Sequence, residues 1–419
     1  MRSLLLLLLI ASWPATAAEA IVRPGDSIQA AIDAASPGDV LRVLPGRYRG
    51  NLHIDKSLTL EGTGYPTIDG GLAGDTIRIT ATDVVIDGFV VADSGDDLGA
   101  QNAGIYFERG SHRVVVNDCQ FSYVLFGLWI EQSDDVVVSN NVITGKRDHP
   151  SAQRGNGIQL YFSMGARIVG NQISFVRDGI YVDVSNRALF KGNRIHHVRY
   201  GTHYMNSHHN VWEDNESHHN RGGLALMMTR DQVVRNNRAW ANSDHGIMLR
   251  TIQDSVIEGN VVAGNARGFF VYDAEYNVIR DNLIVDNRVG VHLWAGSINN
   301  QVDGNDFIAN QTQVKFIAAR DELWGIKEGN HWSNYVGWDR NGDGVGDLPF
   351  EANDLVDRLT WRHPMMKLLL ASPAVQTLHL VARQFPLLRA PSVVDRRPRM
   401  DAAHDDWSDW IGKHLAAHP

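Results

Sequence analysis

The chain has 419 residues, with 39 Lys+Arg against 48 Asp+Glu, a formal charge of −9 and a single cysteine, Cys119. An acidic balance without a basic stripe makes nucleic acid and anionic lipid poor partners. One cysteine excludes an internal disulfide, so whatever core forms must hold by packing and hydrogen bonding alone.

At the start, Arg2 stands ahead of an apolar run beginning at Leu4, and small residues follow in PATAAEA. This is the pattern of a secretory leader over residues 1–20, with an A-x-A site at Ala15–Ala17 and cleavage after Ala17 or Ala20. The run is too short for a stable membrane span, and the mature chain is expected to be exported. Next, GDSIQAAIDAASPGD (25–39) offers a capping Asp26 or Ser27, apolar Ile28, Ala31 and Ile32, and Pro37 with Gly38 as a stop. A short amphipathic helix results, suited to sealing the open end of a sheet stack. The stretches LTLEGTGYPTIDG and TIRITATDVVIDGFVV then read as irregular first coils.

From Gly104 onward the chain repeats. A glycine followed by an apolar–any–apolar triplet recurs at Gly104, Gly127, Gly157, Gly179, Gly201, Gly223, Gly246, Gly268 and Gly290. Asparagines keep pace at Asn141, Asn171, Asn193, Asn215, Asn237, Asn260, Asn282 and Asn305, mostly 22 residues apart. The longer step between Gly127 and Gly157 holds GKRDHPSAQR, a loop pushed out of one turn. A leucine-rich repeat shares the period but needs a helical half per unit, and no half-repeat here has a 3.6 period. Short Ile/Val/Leu strands separated by Gly, Asn and Asp turns predict an all-β fold, a right-handed parallel β-helix of eleven to thirteen coils. The asparagines suit inward ladders at the bends, and Cys119, in register with them, reads as a buried structural thiol.

Side chains alternate along a strand, so the first and third residues after each glycine point inward and the second and fourth outward. The outward columns are aromatic or acidic at the flanks (Tyr106, Trp129, Glu108, Glu131, Phe270, Trp294) and carry His203, Met205, Met227 and Met248 at the centre. Coils stack ~4.8 Å apart, which makes Met205 and Met227 neighbours and leaves Ala225 between His203 and Met248. Met228, His208 and His209 lie towards the following turn. Two readings of this stripe stand together. An exposed methionine-rich strip suits an adaptable protein interface, whereas thioether and imidazole donors without carboxylates form a soft set matched to Cu(I). His196 and His197 align with His218 and His219 one coil on, as solvated turn histidines or an accessory metal surface.

After the coils, Asp339-x-Asn341-x-Asp343-Gly344-Val345-x-Asp347 places oxygens at positions 1, 3, 5, 7 and 9 of an EF-hand-like loop, with glycine at the sixth. Phe350 occupies the twelfth position where a glutamate is usual, and Glu351 or Asp354 is a substitute. A structural Ca²⁺ is the expectation. Beyond Pro364, MMKLLLASPAVQTLHLVARQFPLLRAP has helical apolar spacing broken by Pro373, Lys367 and Arg383, too interrupted to span a membrane. It either covers the far end of the solenoid or reaches a membrane partner, and DAAHDDWSDW after it reads as a loose tail. The organisation is thus a leader over 1–20, a β-helix over 21–330, an acidic loop over 331–354 and a helical docking extension over 355–419.

The leader, the GIY…N-x-I coils, the loop NHWSNYVGWDRNGDGVGDLPF and the tail phrase RQFPLLRAPSVVDRRP together resemble the NosD family of periplasmic β-helix accessory proteins for nitrous oxide reductase maturation. The resemblance implies a periplasmic, non-enzymatic factor that works with an ABC-type transporter, a copper chaperone lipoprotein and the nitrous oxide reductase apoprotein. On that implication His203, Met205, Met227, Met248 and Met228 become copper ligands, and the extension becomes the transporter dock. The alternative is a polysaccharide lyase, epimerase or carbohydrate-binding β-helix. Such an enzyme needs acid and base groups together in the groove, whereas Glu108, Glu131, Asp183 and Arg250 fall in separate coils. A passive adhesin or scaffold is a third possibility.

Overall fold

The computed structural model describes residues 18–294, 296–316, 322–352 and 393–413, with a few positions between 365 and 381. Nearly all of it is a parallel β-solenoid. Three sheets of 14, 13 and 12 strands run its length, each strand pairing in parallel with its equivalent one coil away. The fourteen-stranded sheet shows about one turn more than the sequence suggests. The difference lies at the N-terminus, where Glu19–Val22 pairs in register with Val40–Val43 before any glycine repeat begins. The helix Ile28–Ala34 follows, with Ser27 as its N-cap and Ile28 and Ile32 buried.

The sequence dictates the coil in a simple way. Val, Ile and Leu at alternate positions fill the interior from all three sheets as one continuous core, and each coil buries them only against its neighbours. The bend after each strand of the fourteen-stranded sheet needs a left-handed residue, which explains why Asn140, Gly170, Gly192, Asp214 and Asn236 recur there. The next residue is the ladder asparagine. Asn193 Nδ2 donates to Asn215 Oδ1 at 2.9 Å and to the Ile168 carbonyl of the preceding coil at 2.8 Å. That pattern repeats coil after coil. Cys119 opens the ladder: it is buried, its N–H donates to Asn141 Oδ1, and burial pushes its thiol up to about 12. It is a structural group, as expected.

At the distal end the ladder continues past Asn305 to Asn330 and finishes on Asp395, whose Oδ2 accepts from Asn330 N and Nδ2 (both 2.9 Å) and from Trp332 Nε1 (3.0 Å). Phe350–Ala352 pairs antiparallel with Val393–Asp395, and Phe350 stacks on Trp332. This pair closes the far end. The segment expected as a loose tail is not loose. Arg399 and His404 both bind the fully buried Asp306, and Trp410 packs with Trp240, Leu283, Val285 and Ile308 on the outside of the thirteen-stranded sheet. Sheet alternation leaves those apolar residues facing out, and the tail covers them. Most of the expected docking extension (355–392), Asp354 and the leader through Ala17 lie outside the described residues. Among the described residues no helix is long and apolar enough to cross a membrane.

Candidate functional site

The twelve-stranded sheet has the longest strands, up to nine residues in Gly222–Arg230 and His245–Gln253. Its glycines are required by close approach: a Cβ on Gly179 would lie 2.4 Å from Ile195 Cγ2 and 2.6 Å from the Gly201 carbonyl. With that register fixed, His203 pairs with Ala225 and Ala225 with Met248, while Met205 pairs with Met227 and Met227 with Arg250. Thr202, Tyr204, Leu224 and Leu226 between them are buried inward. His203, Met205, Met227 and Met248 therefore share one outward patch across three strands. Met227 is only 9% exposed although it faces outward, because its neighbours cover it. Met228 is separated from them: its backbone is left-handed (φ 50), and its side chain is 41% exposed at the rim.

The patch is not free of carboxylate, which corrects the soft-donor picture. Asp178, with its side chain 1% exposed, holds His203 Nδ1 at 2.9 Å and takes two hydrogen bonds from Arg199 at 2.8 and 2.5 Å. Burial alone would raise the Asp178 carboxyl, but hydrogen bonds from Arg199 and His203 outweigh it and hold the group below the usual carboxylate range. Nδ1 also lies 3.1 Å from Arg199 Nη2, and it is the closer Asp178 carboxylate, able only to accept when ionised, that calls for the proton on Nδ1 and leaves the lone pair on Nε2. Metal-binding imidazoles commonly show this arrangement, with the far nitrogen held by a carboxylate or another acceptor. The ring is fixed further by Tyr181, edge-on at 4.7 Å, and Tyr200 at 5.5 Å, while the Tyr181 hydroxyl donates to Met205 Sδ at 3.8 Å.

Sequence reasoning missed Asp178 because it assigned faces only to residues after each glycine. The column just before the glycine reads Asp178, Tyr200, Gly222, His245 and Arg267 in successive coils. Listing it would have exposed two more titratable groups beside the patch. His245 is 1% exposed in its side chain, and neither ring nitrogen has a hydrogen-bond partner. Burial pushes its imidazole down, against the opposing pull of Asp244. Farther along, His292 is also buried, pushed down to about 4 mainly by burial, between Phe270 and Trp294.

The second histidine group is packed only in part: His218 is buried, His196 and His219 are half-buried and His197 is exposed. His196 stacks on His218 at 5.2 Å and His218 on Trp240 at 4.5 Å, and each His–His neighbour pair shares an Nδ1···Nδ1 hydrogen bond of 2.8 Å. Burial, the largest cause, takes His218 down to about 3. In the acidic loop, Asp339 accepts from the backbone N–H of Gly342 (2.7 Å) and Gly344 (2.8 Å), Asp343 from Val345 and Asp347 from Arg340. Asn341 Oδ1 accepts from Asp343 N. The donors are hard oxygens of the type Ca²⁺ takes, and they are turned to backbone amides. Among the described residues no three Asp, Glu, His or Cys side chains are gathered to hold a metal.

Residues 140–337 match the family described as "Periplasmic copper-binding protein (NosD)". Two relatives, each called "Probable ABC transporter binding protein NosD", align over 375 residues. The one from Stutzerimonas stutzeri is 36% identical, covering 86% of this chain and 86% of its own. That from Pseudomonas aeruginosa is 37% identical, covering 85% and 88%. Among solved structures, PfbA, a surface adhesin of Streptococcus pneumoniae, superposes with a TM-score of 0.55 at 12% identity over 73% of this chain and 93% of its own. The Azotobacter vinelandii mannuronan C-5 epimerase AlgE6 A-module gives 0.51 at 18% identity, over 73% and 91%. At those identities the two structures speak for the fold alone.

Proposed function

The chain belongs to the NosD family, and on that premise we propose that it is a non-enzymatic periplasmic maturation factor that carries Cu(I) on the patch around His203. The carrying observation is the convergence of His203, Met205, Met227 and Met248 across three strands with Asp178 anchoring the far nitrogen of His203. Imidazole and thioether donors favour Cu(I) over harder cations, and thioethers bind loosely enough to release their cargo. Met228, exposed at the rim, is where copper enters or leaves. The partners are an ABC-type transporter, in keeping with the relatives' description, a copper chaperone lipoprotein and the nitrous oxide reductase apoprotein. Export follows removal of the leader after Ala17, because cleavage after Ala20 would take half of the strand Glu19–Val22. Ca²⁺ at Asp339, Asn341, Asp343, Val345 and Asp347 is structural. Support for that role comes from Gly346 N and Gly344 O, which hydrogen-bond Pro398 and Met400 and so tie the loop to the returning tail.

Anaerobic titration of the exported protein with Cu(I), in competition with a chromophoric chelator, tests the copper reading. Wild type takes up copper, and Met205→Ala/Met227→Ala loses it. Binding indifferent to both changes, or no binding at all, would sink the proposal.

A further inference from the structure

Among the described residues His245 has both of its side-chain nitrogens buried without a hydrogen-bond partner. A buried imidazole left without hydrogen bonds carries the full desolvation penalty of its polar atoms. Its Nδ1 lies 3.7 Å from Asp244 Oδ2, beyond hydrogen-bond reach, and Asp244 is already held by Arg267. The ring lies in a prepared cradle. One coil before it the column has Gly222, where a Cβ would sit 2.5 Å from His245 Nε2, so any other residue would displace the imidazole. One coil further back stands Tyr200, whose ring stacks on His245 with centroids 5.6 Å apart and lies 5.5 Å from the His203 ring at a tilt of 59°.

The neighbouring outward position is as telling. Ala225 lies between His203 and Met248 in the paired register and is fully buried despite its small side chain and outward direction. Neighbouring side chains must therefore close over it, and His245, three residues before Met248, belongs to the column preceding the anchor glycines, whose Asp178 and Tyr200 already reach the His203 ring. His292 shares the orphaned nitrogen but lies two coils past Met248, behind Phe270.

We propose that His245 is a second imidazole ligand of the Cu(I) patch, admitted by Gly222 and facing the space over Ala225 with His203 and Met248. The inference rests on the copper reading above and adds to it the nitrogen that a thioether-rich set needs for firm retention. A neutral imidazole with a free lone pair is the required form, and a bound cation would satisfy the nitrogen that now has no partner.

Copper K-edge absorption on the Cu(I)-loaded, full-length protein tests this together with chelator competition. Wild type should show two nitrogen and at least one sulfur scatterers. His245→Phe, which keeps the ring volume, should show one nitrogen and a Kd weaker by about tenfold or more. His245→Phe with wild-type affinity and two nitrogens overturns the assignment and leaves the copper reading standing. If that variant does not fold, wild type decides alone: one nitrogen scatterer overturns the assignment, two support it. A wild-type protein that binds no Cu(I) overturns both.

Discussion

Replacing Asp178 with asparagine separates the site from its scaffold more cleanly than removing a ligand. The carboxylate is buried, takes two hydrogen bonds from Arg199 at 2.8 and 2.5 Å and holds His203 Nδ1 at 2.9 Å. Asparagine keeps the shape and one acceptor oxygen but removes the charge, leaving the Arg199 guanidinium, itself only 28% exposed, without its counter-ion. Breaking one side of a buried pair costs about 3–5 kcal/mol, and partial exposure of Arg199 puts this case near 3. Because a solenoid's stability is a sum of coil and nearest-neighbour contributions, the loss should fall on the strands 178–183 and 200–205 and not on distant coils. Amide hydrogen exchange in those strands should accelerate by about a hundredfold, with the N-terminal coils unchanged. The Cu(I) Kd should weaken by about 10–100-fold, the usual loss when a ligand histidine is deprived of its carboxylate. Unchanged exchange in 200–205 would mean the ion pair does not hold that strand. Unchanged copper affinity would mean that Asp178 does not orient His203 as a ligand, and the site geometry argued above would fail.

Asp395→Ala should remove the acceptor of four donors, two from Asn330, one from Trp332 and the Arg397 N–H, whose hydrogen bond is only part-buried, and the three buried ones should cost about 1–3 kcal/mol each. Limited proteolysis should then cut around 323–352 and 393–413 first, and Asp395→Asn, which keeps an acceptor, should restore most of the resistance. His404, raised by its hydrogen bond to Asp306, contributes stability that is full below the ordinary histidine range and is lost as pH rises through its folded value. Asp306, held down by His404 and Arg399 against burial, contributes above the carboxylate range and loses it on acidification. Urea denaturation should therefore separate wild type from His404→Gln most near pH 5.5–6 and progressively less toward pH 9, about 1 kcal/mol at most for one charge-assisted contact; a gap that widens with pH would contradict the clasp. Adding Ca²⁺ to EGTA-treated protein should raise the thermal midpoint of wild type and not of Asp339→Ala/Asp343→Ala, whereas equal midpoints with and without Ca²⁺ would remove the cation from the loop.

The parts of this molecule that were legible in sequence are those governed by a strict period. The glycine triplets forced the twelve-stranded sheet, its register and the outward placement of His203, Met205, Met227 and Met248, because alternation within a strand leaves no choice. The asparagine column likewise gave the ladder and the place of Cys119 in it. What escaped lies where the period lapses. Trp240, Leu283, Val285 and Ile308 are outward by alternation and buried in fact, and only the return of Trp410 from the end of the chain explains it. No local pattern carries that contact, and the sequence reading of 400–410 as a tail failed for this reason.

Residues at the bends were illegible for a different cause. Asp178 and His245 both precede an anchor glycine, at a corner where strand alternation no longer predicts direction, and their surroundings are set by what the adjoining coil lacks. Tyr200 occupies the place between them in the column, Gly222 leaves one empty, and His245 folds into it. Had residue 222 carried a side chain, the imidazole would have been driven toward solvent, where it would hydrogen-bond to water at no cost. A buried histidine whose two nitrogens lack partners is stable only if the rest of the coil over-determines its position or a ligand completes it. The first alternative predicts that His245→Phe stabilises the protein, since an apolar ring of similar size removes the orphaned atoms. The second predicts the same gain in copper-free protein and its reversal once Cu(I) is bound, because the ligand stabilises only the form that holds it. Comparing denaturation midpoints of the two proteins with and without Cu(I) therefore distinguishes a packing residue from a ligand, and a gain of equal size in both conditions would assign His245 to packing.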